Sequence, residues 1–145
     1  MKNIHLLRTA EAPEALGDLW TALASLGLRF GWLDLDDESL PEDELGRAAR
    51  GGALRAVRIG ADGSTVRKTR RGPVVLGDLL REHFVGCTVV VARGESASGF
   101  SDSRWVAAPR LGRIDADRLR LEGEHGVLEL TPGELAQRLR RPRGV

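Results

Sequence analysis

The amino-acid sequence predicts an α/β fold, with α+β as the alternative, in a single domain that spans residues 1–145. Residues 3–35 are typical of strand, helix and strand in succession, and residues 76–92 of an amphipathic helix that leads into an apolar strand. Such alternation predicts a central mixed sheet flanked by helices. A chain of 145 residues with 41% hydrophobic residues can supply one core of this size.

The β-α-β opening rests on helical spacing between two short strands. Residues 3–8 predict the first strand, Pro13 suits the first turn of a helix, and Gly27 suits the position after its end. Residues 29–35 predict the second strand. One face of the predicted helix carries Leu16, Leu19, Trp20, Leu23 and Leu26.

An acidic connector follows the second strand. Ser39 and Glu42 have the spacing of a capping box, which predicts a short helix that runs to about Arg50. The acidic run has two interpretations, a divalent-cation site or a solvated loop whose carboxylates favour a helix N-terminus. No glycine and distal glutamate complete a calcium-loop pattern, so we expect no metal here. The carboxylates considered are Asp34, Asp36 and Asp37.

Residues 54–71 predict a β-hairpin with a two-residue turn at Asp62-Gly63. This turn would place Arg58 opposite Arg67 and Arg55 opposite Arg70. Like charges directly opposite each other destabilise a strand pair by a few tenths of a kcal/mol or more. The hairpin therefore needs a counter-charge from the acidic part of the chain, an anionic ligand, or a different register.

These cations form the candidate site for an anion or a partner protein. A surface on which one local rule is broken is a place where function is expected. The predicted site consists of Arg55, Arg58, Arg67, Lys68, Arg70 and Arg71.

The charges of the chain are unevenly distributed although the formal net charge is only +1. Residues 1–46 hold three basic and ten acidic residues, a charge of −7, and residues 47–145 hold 19 basic and 11 acidic residues, a charge of +8. One part can neutralise the other within a chain or between chains. The bias of arginine over lysine reflects a GC-rich genome, so it does not by itself indicate nucleic-acid binding.

The helix and strand after the hairpin predict the centre of the fold. The helix has apolar residues at helical spacing, and residues 87–92 form an apolar run typical of a strand covered on both faces. Cys87 belongs to this run, and we expect it to be a small buried hydrophobe rather than a nucleophile. The helical face carries Val75, Leu76, Leu79, Leu80 and Phe84.

A loop rich in glycine and serine, residues 94–103, follows this strand. Its backbone N–H groups are a second candidate site, because such loops can hold phosphate. The alternative is a mobile connector, since no phosphate-loop, dinucleotide or nucleophile-elbow motif is present. The loop residues considered are Gly94, Ser96, Ser98, Gly99 and Ser101.

The C-terminal part predicts strands and a final helix. Residues 105–108 predict a short strand that stops at Pro109, and residues 117–122 and 127–130 predict a hairpin. Thr131 and Glu134 have capping-box spacing and predict the short last helix.

The sequence names no catalytic residue, cofactor or metal site. His5, His83 and His125 lie in different predicted elements without a metal-ligand spacing, and one cysteine permits no disulfide framework. No apolar run approaches the ~20 residues that span a bilayer, and the N-terminus lacks the features of a signal peptide. We therefore expect a cytoplasmic protein without membrane contact.

The segment RRGPVVLGDLL between the hairpin and the apolar strand looks like a cofactor loop of the N-acetyltransferase superfamily. In that family a strand and the backbone amides of the next helix hold the pyrophosphate of acetyl-coenzyme A, with a loop close to R/Q-x-x-G-x-G/A. Arg70, Arg71, Gly72 and Gly77 are present. Pro73, which lacks an N–H, and residues 74–76 replace the second glycine. The resemblance covers only the order of elements over residues 3–92 and implies a divergent acetyl-coenzyme A-dependent domain.

Three functions follow from these features. The first, which we adopt, is a non-catalytic binding or assembly module whose basic hairpin contacts an acidic protein partner or another protomer. The second is a nucleic-acid-binding protein that uses the same arginines, with Trp105 or Phe100 as stacking residues. The third is the acetyltransferase-like domain.

Overall fold

The computed structural model describes residues 4–35, 42–70, 72–94, 100 and 102–141. The chain divides into two compact units. The first contains Met1–Asp36 and Val75–Val145, and the second, the hairpin unit, contains Asp37–Val74. The α/β class is confirmed, because strands and helices alternate along most of the chain. The single domain stays a prediction.

The described residues form eight strands and five α-helices, with a 3₁₀ turn, Pro13–Leu16, before the first helix. The strands are β1 (His5–Thr9), β2 (Phe30–Asp34), β3 (Arg55–Ile59), β4 (Ser64–Lys68), β5 (Val89–Arg93), β6 (Arg110–Arg113), β7 (Leu119–Gly123) and β8 (Gly126–Leu130). The helices are α1 (Gly17–Ser25), α2 (Glu44–Arg50), α3 (Leu76–His83), α4 (Ser103–Ala107) and α5 (Pro132–Leu139).

The first unit is built on a six-stranded mixed sheet in the order β2-β5-β1-β6-β7-β8. The four strands β2, β5, β1 and β6 are parallel, and β7 and β8 continue the sheet as an antiparallel hairpin. The predicted β-α-β opening is present, although β5 lies between its two strands. Val89 to Ala92 are fully buried, which confirms the central strand that the apolar run predicts.

Helices cover both faces of this sheet. On one face, α1 and α5 pack against the sheet through leucines such as Leu19, Leu23 and Leu135. On the other face, Leu76 and Leu80 of α3 and Trp105 of α4 pack against Leu6, Val90 and Ala92. Residues alternate between the two faces along each strand, so one apolar strand such as β5 contributes to both cores.

The carboxyl end of β1 is fixed by a buried hydroxyl. Thr9, with 5% of its surface exposed, donates a hydrogen bond from Oγ1 to the carbonyl of Leu111 at 2.7 Å. The same oxygen accepts from the backbone N–H of Glu11 at 3.0 Å. Because a buried polar group must be satisfied, this threonine joins the ends of β1 and β6.

Arg113, at the end of β6, links this part of the sheet to α1. Its Nε donates to the carbonyl of Ala15 at 2.7 Å, and its guanidinium forms an ion pair with Asp18 in the first turn of α1. The same group donates to the carbonyls of Asp115 and Ala116 at 2.7 and 3.1 Å. The half-buried guanidinium of Arg113 therefore holds both the loop after β6 and the start of α1 in place.

The prediction of a strand at residues 105–108 is wrong. Residues 105–107 belong to α4, and Ala108 follows its last turn. The Asp102 carboxylate caps the start of this helix by accepting from the N–H of Arg104 at 2.7 Å. A four-residue apolar run does not distinguish one helical turn from a strand by periodicity. The strand of this region, β6, begins after Pro109.

Two smaller predictions also need correction. Helix α2 begins at Glu44, and its cap is Asp43, which accepts from the N–H of Gly46 at 2.8 Å; Ser39 lies outside the described residues. Cys87 precedes β5 and is half-buried, not inside the strand. It packs beside the core formed with α3.

The predicted capping box of α5 is confirmed. Thr131 Oγ1 accepts from the N–H of Glu134 at 3.2 Å, and the Glu134 carboxylate accepts from the N–H of Thr131 at 3.0 Å. The pKa of Glu134 lies below its ordinary value, first because the Thr131 N–H donates to the carboxylate and second because the Thr131 side chain also forms a hydrogen bond with it. The helix then buries Leu135, Ala136 and Leu139.

Among the described residues, no helix is both long and apolar enough to cross a bilayer.

The capping box predicts a pH-dependent contribution to stability. Since the pKa of Glu134 is lower in the folded than in the unfolded chain, its contribution is complete above the unfolded-state pKa and is lost as pH falls through the folded-state pKa. We expect Glu134→Gln to remove this part of the pH dependence in urea unfolding. Thr131→Ala should cost about 1 kcal/mol at neutral pH.

Glu124→Gln is the matched control, because Glu124 is an exposed glutamate of the turn between β7 and β8. Equal loss of stability on acidification in the wild type and in Glu134→Gln would contradict the role of the capping box.

Candidate functional site

The hairpin unit contains the residues predicted to bind a partner. Strands β3 and β4 are antiparallel, and α2 packs against both strands. The pairing extends beyond the strands, because the N–H of Thr69 donates to the carbonyl of Leu54 at 3.2 Å. In the described residues this sheet has two strands, and α2 supplies its packing.

The predicted register of the hairpin is wrong by two residues. Ile59 pairs with Ser64 and Val57 with Val66, so the turn is centred on Ala61-Asp62. The N–H of Gly60 donates to the carbonyl of Gly63 at 2.7 Å. A turn centred on Asp62-Gly63 of the expected type needs positive φ at both residues, and Gly63 does not have it.

The observed register removes both predicted arginine pairs. Arg58 faces Thr65 instead of Arg67 and lies 3.5 Å from the carboxylate of Glu44 on α2. The observed register also creates one like-charged pair that the sequence did not predict, since Arg55 is directly opposite Lys68. The charge repulsion across the hairpin is thus smaller than the sequence predicts, and Glu44 offsets the charge of Arg58 within the hairpin unit.

A two-residue shift leaves each side chain on the face where the sequence places it. Ala56 and Arg58 lie on the face of the hairpin that α2 covers, as the ion pair to Glu44 shows. The other face, here called the apolar face, carries Arg55, Val57, Ile59, Ser64, Val66 and Lys68.

The apolar face exposes three large aliphatic side chains. Val57 and Val66 are directly paired and are 52% and 54% exposed, and Ile59 beside them is 77% exposed. The pairing pattern makes Val57 and Val66 a non-hydrogen-bonded pair, because the hydrogen bond from Gly60 to Gly63 fixes the alternation. Their side chains therefore lie close together and form one continuous apolar surface.

The remaining predicted cations lie at the other end of the hairpin from its turn. Arg67 and Lys68 are half-buried in β4, and Arg70 is exposed. Arg71 lies outside the described residues. The described cations and the apolar face thus belong to the same unit. Among these cations, Arg58 forms an ion pair with α2.

The predicted loop site is only partly visible. Gly94 is described, whereas Ser96, Ser98, Gly99 and Ser101 lie outside the described residues. Gly94 has φ +131°, and a Cβ there would be less than 3.0 Å from the carbonyl oxygen of Leu35. A glycine is therefore required for close approach of the chain after β5 to the end of β2.

The aromatic residues predicted to stack on bases have structural roles. Trp105 is only 4% exposed, so it cannot offer a base-stacking surface, and that prediction is wrong. Phe100 is half-buried, and its ring lies 5.2 Å from the Trp105 ring in an edge-to-face contact.

The histidines and the cysteine do not converge. His5 contacts the carbonyl of Arg141 through Nε2 at 2.9 Å, His83 lies 3.9 Å from the carboxylate of Glu82, and His125 lies in the β7–β8 turn. Within the described part of the chain, no three histidine, cysteine, aspartate or glutamate side chains are placed to hold a metal ion. Asp36 and Asp37 of the acidic connector lie outside that part.

A second basic cluster, absent from the sequence predictions, lies on the six-stranded sheet. Arg8 of β1 is directly opposite Arg110 of β6, and Arg120 and Glu122 follow on β7 beside a surface cavity. The pairing of β1 with β6 joins residues about a hundred positions apart. The alternation of Arg120 and Glu122 with buried leucines is a local signal that could have marked their face as polar.

Comparison with known proteins does not identify a relative. No protein-family model matches the chain, and no curated protein sequence matches it.

The requirement for glycine at residue 94 is testable. Gly94→Ala combines an unfavourable φ with a steric contact to the Leu35 carbonyl, so we expect it to lower the free energy of unfolding by about 2 kcal/mol. Gly112→Ala is the matched control, because a Cβ at Gly112 meets nothing within 4 Å. Equal stability of the two variants would contradict the close approach.

The hairpin register can be tested with engineered cysteine pairs in a Cys87→Ala background. Val57→Cys with Val66→Cys places two cysteines in a non-hydrogen-bonded pair, the geometry that favours a disulfide. Val57→Cys with Lys68→Cys makes the pair of the sequence-predicted register. We expect rapid oxidation of the first pair only, measured by thiol titration. Preferential oxidation of the second pair would restore the predicted register.

Proposed function

We propose that the protein is a non-catalytic binding module whose hairpin unit contacts an acidic segment of a partner protein. The observation that carries this proposal is the apolar face, in which Val57, Ile59 and Val66 are exposed next to the cations Arg55 and Lys68. Aliphatic residues contribute free energy when a partner buries them, and the flanking cations select the charge of that partner.

The surface favours an extended partner. With two strands in the described hairpin unit, β3 and β4 each have one outer edge that no further described strand occupies. A peptide added at such an edge gains backbone hydrogen bonds and presents every second side chain to one face. On the apolar face of this hairpin, apolar and acidic side chains in alternation match the paired valines and the flanking Arg55 and Lys68.

Charge disfavours two other occupants. A second copy of the same hairpin would bring cations against cations, which costs free energy at an interface. A nucleic acid would leave Val57 and Val66 against phosphate groups, and Trp105 is buried and cannot stack on bases. A protein segment with both apolar and acidic side chains can bury the valines and pair with the flanking cations.

The proposal is tested with the labelled decapeptide Val-Ser-Glu-Ser-Val-Ser-Glu-Ser-Val-Ser, in which valine and glutamate alternate along one face of an extended strand. Its binding to the 145-residue chain is measured by fluorescence anisotropy. We expect saturable binding that weakens as salt is raised, because exposed charges contribute. Val66→Asp should weaken binding at least tenfold, since it places a carboxylate in the centre of the apolar face. Val127→Asp is the matched control, an exposed valine of β8, and should bind as the wild type does.

Three further measurements can overturn the proposal. Tighter binding of a 20-base-pair DNA duplex than of the peptide would assign the cations to nucleic acid. Light scattering that shows an oligomer dissolved by Val66→Asp would assign the face to a second copy. Failure of the peptide to bind at low salt would remove the acidic partner altogether.

A further inference from the structure

A cavity of about 190 Å³ opens on the face of the six-stranded sheet that α3 and α4 partly cover. Its lining includes Arg8 and Thr9 of β1, Gly94 after β5, Arg110 of β6, and Arg120 and Glu122 of β7. The lining thus carries three guanidinium groups and one carboxylate. It lies entirely within the first unit, so it is independent of the hairpin surface.

The topology of the sheet places this cavity where ligands bind in α/β proteins. The connection that leaves β1 passes through α1 on one face, and the connection that leaves β5 passes through α4 on the other. Adjacent parallel strands whose connections diverge in this way leave a crevice at their carboxyl ends. Thr9 and Gly94, at the carboxyl ends of β1 and β5, both line the cavity.

Arg8 is held in place before any ligand arrives. Its guanidinium carbon lies 4.4 Å from the centre of the Trp105 ring, a cation–π contact with a buried aromatic group. Trp105 is itself fixed by the edge of Phe100. A cation oriented by stacking loses little further freedom when it binds an anion.

The positions of the other two arginines concentrate positive charge. Arg110 lies directly opposite Arg8 in the parallel pair β1–β6, an arrangement that is unfavourable without a counter-charge. Glu122 lies opposite Arg110 on β7 and offsets part of this charge. Arg120 lies between Gly112, whose missing side chain leaves open space above the sheet, and Glu129 of β8, which offsets part of its charge.

A second cavity of about 320 Å³ adjoins the first and shares Arg110 and Glu122 with it. Its lining combines an apolar side, Val106 and Ala107 of α4 with the following Ala108, and a polar side to which Glu124 adds a second carboxylate. The first cavity alone is smaller than a site for a drug-sized ligand. A ligand with an anionic group in the first cavity could place an uncharged organic part in the second.

We propose that these two cavities form a binding site for a phosphate monoester. Its phosphate group lies between Arg8, Arg110 and Arg120, and its organic part lies along α4 beside Val106. Arginine presents paired N–H donors that match the oxygens of a phosphate group. Thr9 does not contact the ligand, because its hydroxyl already joins β1 to β6.

The site is tested by calorimetric titration of the full-length protein at low ionic strength with inorganic phosphate and with phenyl phosphate. We expect saturable binding of both, with dissociation constants below about 10 mM, and tighter binding of phenyl phosphate. Arg120→Gln should weaken both ligands about tenfold. Arg140→Gln, the same charge change at the exposed end of α5, should leave both unchanged.

Two further variants separate the site from a general effect of charge or folding. Glu122→Gln removes the competing carboxylate and should tighten both ligands several-fold, a gain that misfolding cannot produce. Val106→Ser should weaken phenyl phosphate but not inorganic phosphate. Absence of saturable binding, or equal effects of Arg120→Gln and Arg140→Gln, would overturn the proposal, and equal affinities for the two ligands would overturn the placement of the organic part.

Discussion

The pairing of β1 with a parallel strand on each side is the constraint on which the first unit depends. It places alternate residues of one short strand in two separate cores, with Leu7 among the residues packed by α1 and α5 and Leu6 among those packed by α3 and α4. The Thr9 hydroxyl fixes the end of this strand against β6. The same pairing sets Arg8 beside Arg110, so the packing of the core and the basic cavity have one origin.

Local patterns predicted those elements whose identity depends on neighbouring residues. Leucine spacing identified α1 and α3, the apolar run identified β5, and Thr131 with Glu134 identified the start of α5. Each signal lies within one or two turns of helix or one strand, where side-chain periodicity and capping chemistry decide the conformation. The α/β class follows from the order of these elements.

The remaining features depend on contacts between distant residues. Residues 105–107 became part of a helix because Asp102 caps its start and Trp105 is buried against the sheet. The hairpin register depended on which turn conformation its glycines adopt. The candidate cations of the hairpin could be identified from sequence, whereas their pairing could not. The cluster around Arg8 was not predictable, because it requires β6 and its pairing with a strand at the start of the chain.

The two-residue difference between the predicted and the observed register shows how the length of β3 constrains the apolar face. A change of two residues in register exchanges partners across the strands but keeps Val57, Ile59 and Val66 on the same side. An insertion of a single residue in β3 would instead turn the side chains beyond it towards α2 and bring Arg58, which now pairs with Glu44, to the outside. Insertions of two residues in β3 should therefore preserve the apolar face, whereas insertions of one residue should not. Whether the number of inserted residues is even or odd matters more to this face than the sequence of the turn.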